Sequence, residues 1–195
     1  KVTYTYYAGE QTKTIESDLA LENNIATINA PAVEGRVASH DFVKFGFHDA
    51  AATYEFTIYY SEVDVWDGTS VSTSLQGSGT EEDPYLIQSA ADLAYVAQVV
   101  NALAVKTSAF SGNYIVMTKS IDLNGYELHI GTGTAWGDRQ MFAAYLDGNN
   151  CTIRGINNSR SLFGCIEGGW VKNLSLYGEV NVVKGANSIG VLVGY

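Results

Sequence analysis

From Tyr114 onwards the chain keeps returning to one short pattern: a few apolar residues, a Gly/Asn/Asp turn, then a few apolar residues again. The runs are Tyr114-Ile115-Val116-Met117, Ile121-Asp122-Leu123, residues 141–146, Cys151-Thr152-Ile153, residues 162–166, residues 171–176 and Val191-Leu192-Val193-Gly194. Each is too short to close a core of its own. They also repeat: Asn150-Cys151-Thr152-Ile153-Arg154-Gly155-Ile156, followed by Leu162-Phe163-Gly164, is echoed by Val171-Lys172-Asn173-Leu174-Ser175-Leu176, followed by Leu192-Val193-Gly194. A unit of strand, turn, strand and Gly that recurs in this way predicts a β-solenoid, in which each pass buries its inner face by stacking on its neighbours.

The residues before this region read differently. Val2/Tyr4/Tyr6, Val43/Phe45/Phe47 and Tyr54/Phe56/Ile58/Tyr60 alternate with more polar neighbours at a period of two, the pattern of half-buried strands. Residues 25–28 are a further strand, 8–11 a turn, 31–35 a loop and 17–24 a single helical turn. Residues 67–79, DGTSVSTSLQGSG, are small and polar, as expected of a linker. Beyond them, Ser89 with Asp92 three residues later is the signature of a helix N-terminus. Leu93, Val96, Ala97 and Val100 then recur at helical spacing, and Asn101 is the stop, so a helix is predicted over 89–100. Its apolar face is expected to cover the open first pass of the solenoid, because uncovered strand edges and core are a liability. The expected organisation is a small β domain over 1–66, a linker over 67–79 and a helix-capped repeat region over 80–195.

The motifs GTEEDPYLIQSAADLAYVAQVVN, GNYIVMTKSIDLNG, AAYLDGNNCTIRGI, SLFGCIEGGWVKNLSL and GVLVGY occur in that order. Over about residues 77–195 this resembles the GLUG-repeat modules of bacterial surface and adhesin-type proteins. The resemblance implies a right-handed parallel β-helix and a non-catalytic role. The sequence departs from that pattern in carrying about two copies, with an insertion at 182–188 in the second. The first part, with VTYTYY, APAVEG and ATYEFTIYYSE, resembles the β-grasp-like repeats of mucin-binding proteins. Together these imply a mainly all-β chain: a small β-sandwich or β-grasp-like domain, then a helix-capped β-helix start.

Charge excludes some partners. Eleven Lys+Arg against 21 Asp+Glu give a net charge of −10, and no basic cluster offsets it, so nucleic acid and anionic membrane surfaces are not expected ligands. No run of apolar residues approaches the ~18 that a membrane-spanning helix needs. The strand-like first residues are not a signal peptide, which fits a mature chain, an excised fragment or a cytoplasmic protein. Cys151 and Cys165 have apolar flanks and no partners at zinc spacing, so buried thiols are expected rather than a disulfide.

Most candidate sites have a simpler reading. His40-Asp41 and His48-Asp49 sit at opposite ends of a predicted strand, about 26 Å apart at ~3.3 Å per residue, too far to share a metal ion. Glu81-Glu82-Asp83 reads as a solvated turn. Asp147-Gly148-Asn149-Asn150 reads as a tight corner needing positive φ. His129 has no evident partner. The sequons at Asn150, Asn157 and Asn173 reflect an Asn/Ser-rich composition. No phosphate-binding loop and no nucleophile elbow occurs. Asp122, Glu127, Asp138, Asp147, Glu167 and Glu179 are scattered, with Arg139, Arg154 and Arg160 nearby, which is not the converging set that glycoside cleavage needs.

No catalytic residue, metal or cofactor is therefore expected. The expected function is that of a stalk or adhesion module of a secreted or cell-surface bacterial protein, with a host or environmental glycan or protein as partner. The alternatives are a carbohydrate-binding module using Tyr59, Trp66 and Trp136 as a stacking platform, and a β-helix polysaccharide lyase or hydrolase fragment. Residues 189–195 end while the repeat is still apolar, so a fragment of a longer protein, either monomeric or in end-to-end contact at that terminus, is expected.

Overall fold

A computed structural model describes residues 2–8, 11–17, 25–46, 57–131, 139–181 and 190–194. They are mainly strand, with one helix among them. The chain divides into two compact units, Lys1–Glu62 and Val63–Tyr195.

In the first unit, β1 (Val2–Ala8) and β2 (Gln11–Ser17) pair antiparallel from Val2↔Ser17 to Ala8↔Gln11. Strands β3 (Ile25–Asn29) and β5 (Phe42–Gly46) form a second antiparallel pair. The beginning of β6 (Thr57–Val65) lies between β1, parallel to it, and β4 (Arg36–Ala38), antiparallel to it. Period two is visible in β6, where Ile58 and Tyr60 are buried and Thr57 and Tyr59 exposed. The Tyr60 hydroxyl keeps its polarity satisfied by donating to the Pro31 carbonyl at 2.6 Å. Strand β2 is absent from the expectation, although Thr12, Thr14 and Ile15 carry its β-branched signal. Ser17 ends that strand, and the remainder of the helical turn expected over 17–24 lies outside the described residues, as do Tyr54 and Phe56 of the strand predicted over 54–60, whose second half opens β6.

In the second unit, strands distant in sequence lie parallel in register. The strands β7 (Tyr85–Ile87), β9 (Tyr114–Met117), β12 (Tyr145–Asp147) and β14 (Trp170–Lys172) form one four-stranded sheet. The end of β6 pairs with β10 (Ser120–Asp122), β10 with β13 (Thr152–Asn158), and β13 with β15 (Ser175–Val180). A third line joins β8 (Thr107–Ala109) to β11 (Gln140–Phe142), and parallel bridges join Ile130 to Phe163 and Phe163 to Val193. The echo in the sequence is the structural register: Thr152 and Ile153 face Ser175 and Leu176, and Phe163 faces Val193. Ile115, Ile121, Ile130, Leu146, Ile153 and Phe163 fill the interior, where Phe142 and Phe163 meet at 5.0 Å between centroids.

Two expected strands are each broken by a corner. Residues 141–146 divide into β11 and β12 around Ala143 and Ala144, both buried. Gly169 approaches the backbone of this corner so closely that no side chain fits at 169: a Cβ there would lie 2.2 Å from the Ala144 oxygen. Residues 171–176 divide at Asn173, whose φ of +52° takes it out of the strand region. Residues 162–166 contribute single bridges rather than a strand.

The helix α1 (Ala90–Asn101) begins after the expected N-cap, Ser89, and runs one residue past the predicted end, to a C-cap at Ala102. Ser89 Oγ accepts from the Asp92 amide at 3.2 Å, while Asp92 reaches back to the Gln88 amide at 2.9 Å, one residue earlier than the usual reciprocal box. Asp64 accepts from the Ala90 amide at 2.7 Å. Leu93, Val96, Ala97 and Val100 are buried against β7, β8 and β11.

The expected linker is part of this second unit. Asp67 accepts from the amides of Thr69 and Ser70 at 2.8 and 2.7 Å. Ser72 donates from its amide to Ala91 and from its hydroxyl to Asp92, Leu75 packs on the core, and Gln76 bridges to Leu86. Small polar side chains here make turns against the body of the unit, and the division between the two compact units falls at 62/63.

Candidate ligand-binding face

The pleat of a strand sends alternate side chains to opposite faces. In the β7–β9–β12–β14 sheet, Ile115 and Leu146 point inwards and are buried, so Tyr114 and Val116, Tyr145 and Asp147, and Trp170 and Lys172 lie on the other face. Register aligns Tyr114 with Tyr145 and Tyr145 with Trp170, giving a ladder with centroids 5.0 and 5.5 Å apart and interplanar angles of 51° and 32°. Two residues further along the same strands, Val116, Asp147 and Lys172 form a second line. Both lines, together with Glu81 and Pro84, line an open cleft of about 300 Å³.

The charged groups in the cleft are fixed. Burial acts to raise the Asp147 carboxyl, but it is outweighed by the Asn149 amide at 2.9 Å, the Asn173 amide group at 3.0 Å and Lys172 at 3.3 Å, which hold it below its usual range. The Lys172 ammonium also lies 4.4 Å from the centre of the Trp170 ring. Desolvation pushes the Tyr114 phenol up, reinforced by the charge and hydrogen bond of Glu81.

Of the residues expected to form an aromatic platform, Tyr59 and Trp66 are described, and neither lines this cleft. Trp66 is 7% exposed, donates from Nε1 to the Ser70 carbonyl and meets the edge of Tyr126, so it has no open face for a sugar. Tyr59 is exposed, on β6 in the first unit. Trp136 lies outside the described residues, as do His48, Asp49 and Asp138. His40 is exposed and contacts Ser39. His129 has partners after all: Glu127 at 2.8 Å and the Ser161 carbonyl at 3.2 Å. Asp122 pairs with Arg154 at 2.9 Å. Asn149 and Asn150 adopt positive φ at the Asp147 corner. Cys151 and Cys165 are buried and do not form a disulfide. Among the described residues no three His, Cys, Asp or Glu side chains cluster as metal ligands, and no helix is long and apolar enough to cross a membrane.

The ladder residues carried a signal that alternation alone did not isolate. Tyr114-Ile115, Tyr145-Leu146 and Trp170-Val171 each place an aromatic residue before an aliphatic one at the same register position of neighbouring strands. Tyr85-Leu86 imitates the pattern one place out of register, since Tyr85 faces Ile115, and its ring packs on Phe110 instead.

The chain matches no described protein family, and no solved structure matches it. Its similarity is to large proteins whose names place them at membranes or among mucins. A protein called a Gly-rich membrane protein, from Evansella cellulosilytica, is 36% identical over 130 residues, which cover 60% of this chain and 14% of that protein. Halomucin from Haloquadratum walsbyi is 27% identical over 184 residues, 89% of this chain and 2% of that protein. The chain thus spans a small part of either relative.

Proposed function

We propose that this chain is a non-enzymatic module of a secreted or cell-surface protein, with an adhesion or stalk role. In this reading the second unit is the helix-capped start of a parallel β-helix, right-handed as in the GLUG-repeat modules it resembles, and the first unit is a β-grasp- or sandwich-like domain. The observation that carries the proposal is the in-register parallel stacking of positions 30, 31 and 25 residues apart in one sheet. A scaffold that grows by one pass at a time displays the same face repeatedly, which suits display better than chemistry. The names of the two relatives favour the same setting. Against a polysaccharide-cleaving role, Asp147 in the cleft is held ionised, the wrong direction for a general acid.

Beads carrying the chain, passed over glass coated with mucin, neutral polysaccharide or extracellular-matrix protein, test the reading. Retention under flow on at least one coating, with no sugar released, is the expected result. No retention on any coating, or release of soluble sugar, contradicts it.

A further inference from the structure

We propose that the cleft lined by the aromatic ladder and the Val116/Asp147/Lys172 line binds a neutral polysaccharide laid across the strands. This rests on the display reading above and names its ligand class.

The rings of Tyr114, Tyr145 and Trp170 repeat at 5.0 and 5.5 Å, close to the ~4.8 Å spacing of strands. That rise is comparable to the length of one pyranose ring, so consecutive sugars of a linear chain meet consecutive aromatic rings. Tilts of 51° and 32° keep the rings from covering one another face to face, so part of each face is left for the C–H groups of a sugar. Beside them, Asp147, fixed as a carboxylate, and Glu81 line the cleft as acceptors for sugar hydroxyls. A few placed polar groups beside an apolar wall is the usual composition of a small-molecule or sugar site.

Charge decides between ligands. Two carboxylates line the cleft and the chain carries −10, which disfavours a polyanion. A basic peptide would place a cation on the carboxylate and the indole, but Lys172 already holds both, 3.3 Å from Asp147 and 4.4 Å from the Trp170 centroid. A neutral, hydroxyl-rich chain has no such conflict.

Native gels cast with hydroxyethylcellulose, glucomannan, dextran or polygalacturonate test the proposal on the full chain. Retardation by at least one neutral polymer, and none by polygalacturonate, is expected. Tyr145→Ala and Trp170→Ala, with thermal melting checked in each, should bind about tenfold more weakly. Glu81→Gln, in an exposed turn outside the sheet, should weaken binding while leaving melting unchanged, which keeps the test valid if a ring variant fails to fold. Absence of retardation by every neutral polymer overturns the proposal, as does retardation unaltered in all folded variants. If beads still adhere to mucin or matrix protein while no neutral polymer binds, the sugar proposal fails and the adhesion reading stands.

Discussion

Asn101 ends the helix and supplies from one side chain what a neighbouring strand would supply. Its amide nitrogen donates to the His129 carbonyl at 2.8 Å, and its oxygen accepts from the Gly131 amide at 2.7 Å. The intervening Ile130 gives its own N–H and C=O to Leu162 and Gly164 on the other side. Asn101→Leu should therefore lower stability by about 0.5–1.5 kcal/mol per lost bond, read as a fall in the urea midpoint; an unchanged midpoint would show that water replaces both bonds freely. Glu127 is a second residue with a testable role. Bonds from Ser159 and from His129 pull its carboxyl from 4.5 to about 2. A carboxyl lowered in the folded state stabilises the fold above its ordinary range, and that contribution is lost as pH falls from about 4.5 through about 2. The urea midpoint of Glu127→Gln should accordingly vary less with pH over that interval than that of the parent, and parallel profiles would contradict the assignment.

At the scale of elements, α1 was legible because three independent signals agreed: Ser89 as N-cap, the Leu93/Val96/Ala97/Val100 spacing, and Asn101 as stop. Leu93 is fully buried and belongs to the same core as Ile115 and Phe142. Leu93→Ala should cost about 2–5 kcal/mol, and Leu93→Asp should unfold the second unit by placing an unpaired charge in that core. Loss of the cooperative transition by circular dichroism is the expected result for Leu93→Asp; a parent-like melt would remove the helix from the core. The stretch 67–79 reads as a linker in sequence because serine and glycine serve turns and linkers equally. What distinguishes them is where the backbone groups go, and Ser72 bonding to Ala91 and Asp92 is not written in composition. Limited proteolysis should spare this stretch, and an early cut within 67–79 would restore the linker.

At the scale of the molecule, the parallel pairing of distant strands was legible as far as the residues that fill the interior. Asn150-Cys151-Thr152-Ile153 and Asn173-Leu174-Ser175-Leu176 announced a register that the structure reproduces, because corner and interior both constrain residue type. The second outward line obeys no such constraint: Val116, Asp147 and Lys172 differ in residue type, so nothing in the local sequence marks them as neighbours. The binding face is thus a product of stacking, and stacking is the claim to test. Spin labels at Val116→Cys and Lys172→Cys, in a Cys151→Ser/Cys165→Ser background, sit two strands apart in the sheet, or about 10 Å. Strong dipolar broadening in the frozen spectrum, absent from either single label and abolished in urea, is the predicted result. A doubly labelled protein with the sum of the two single-label spectra would contradict the stacked register and the binding face built on it.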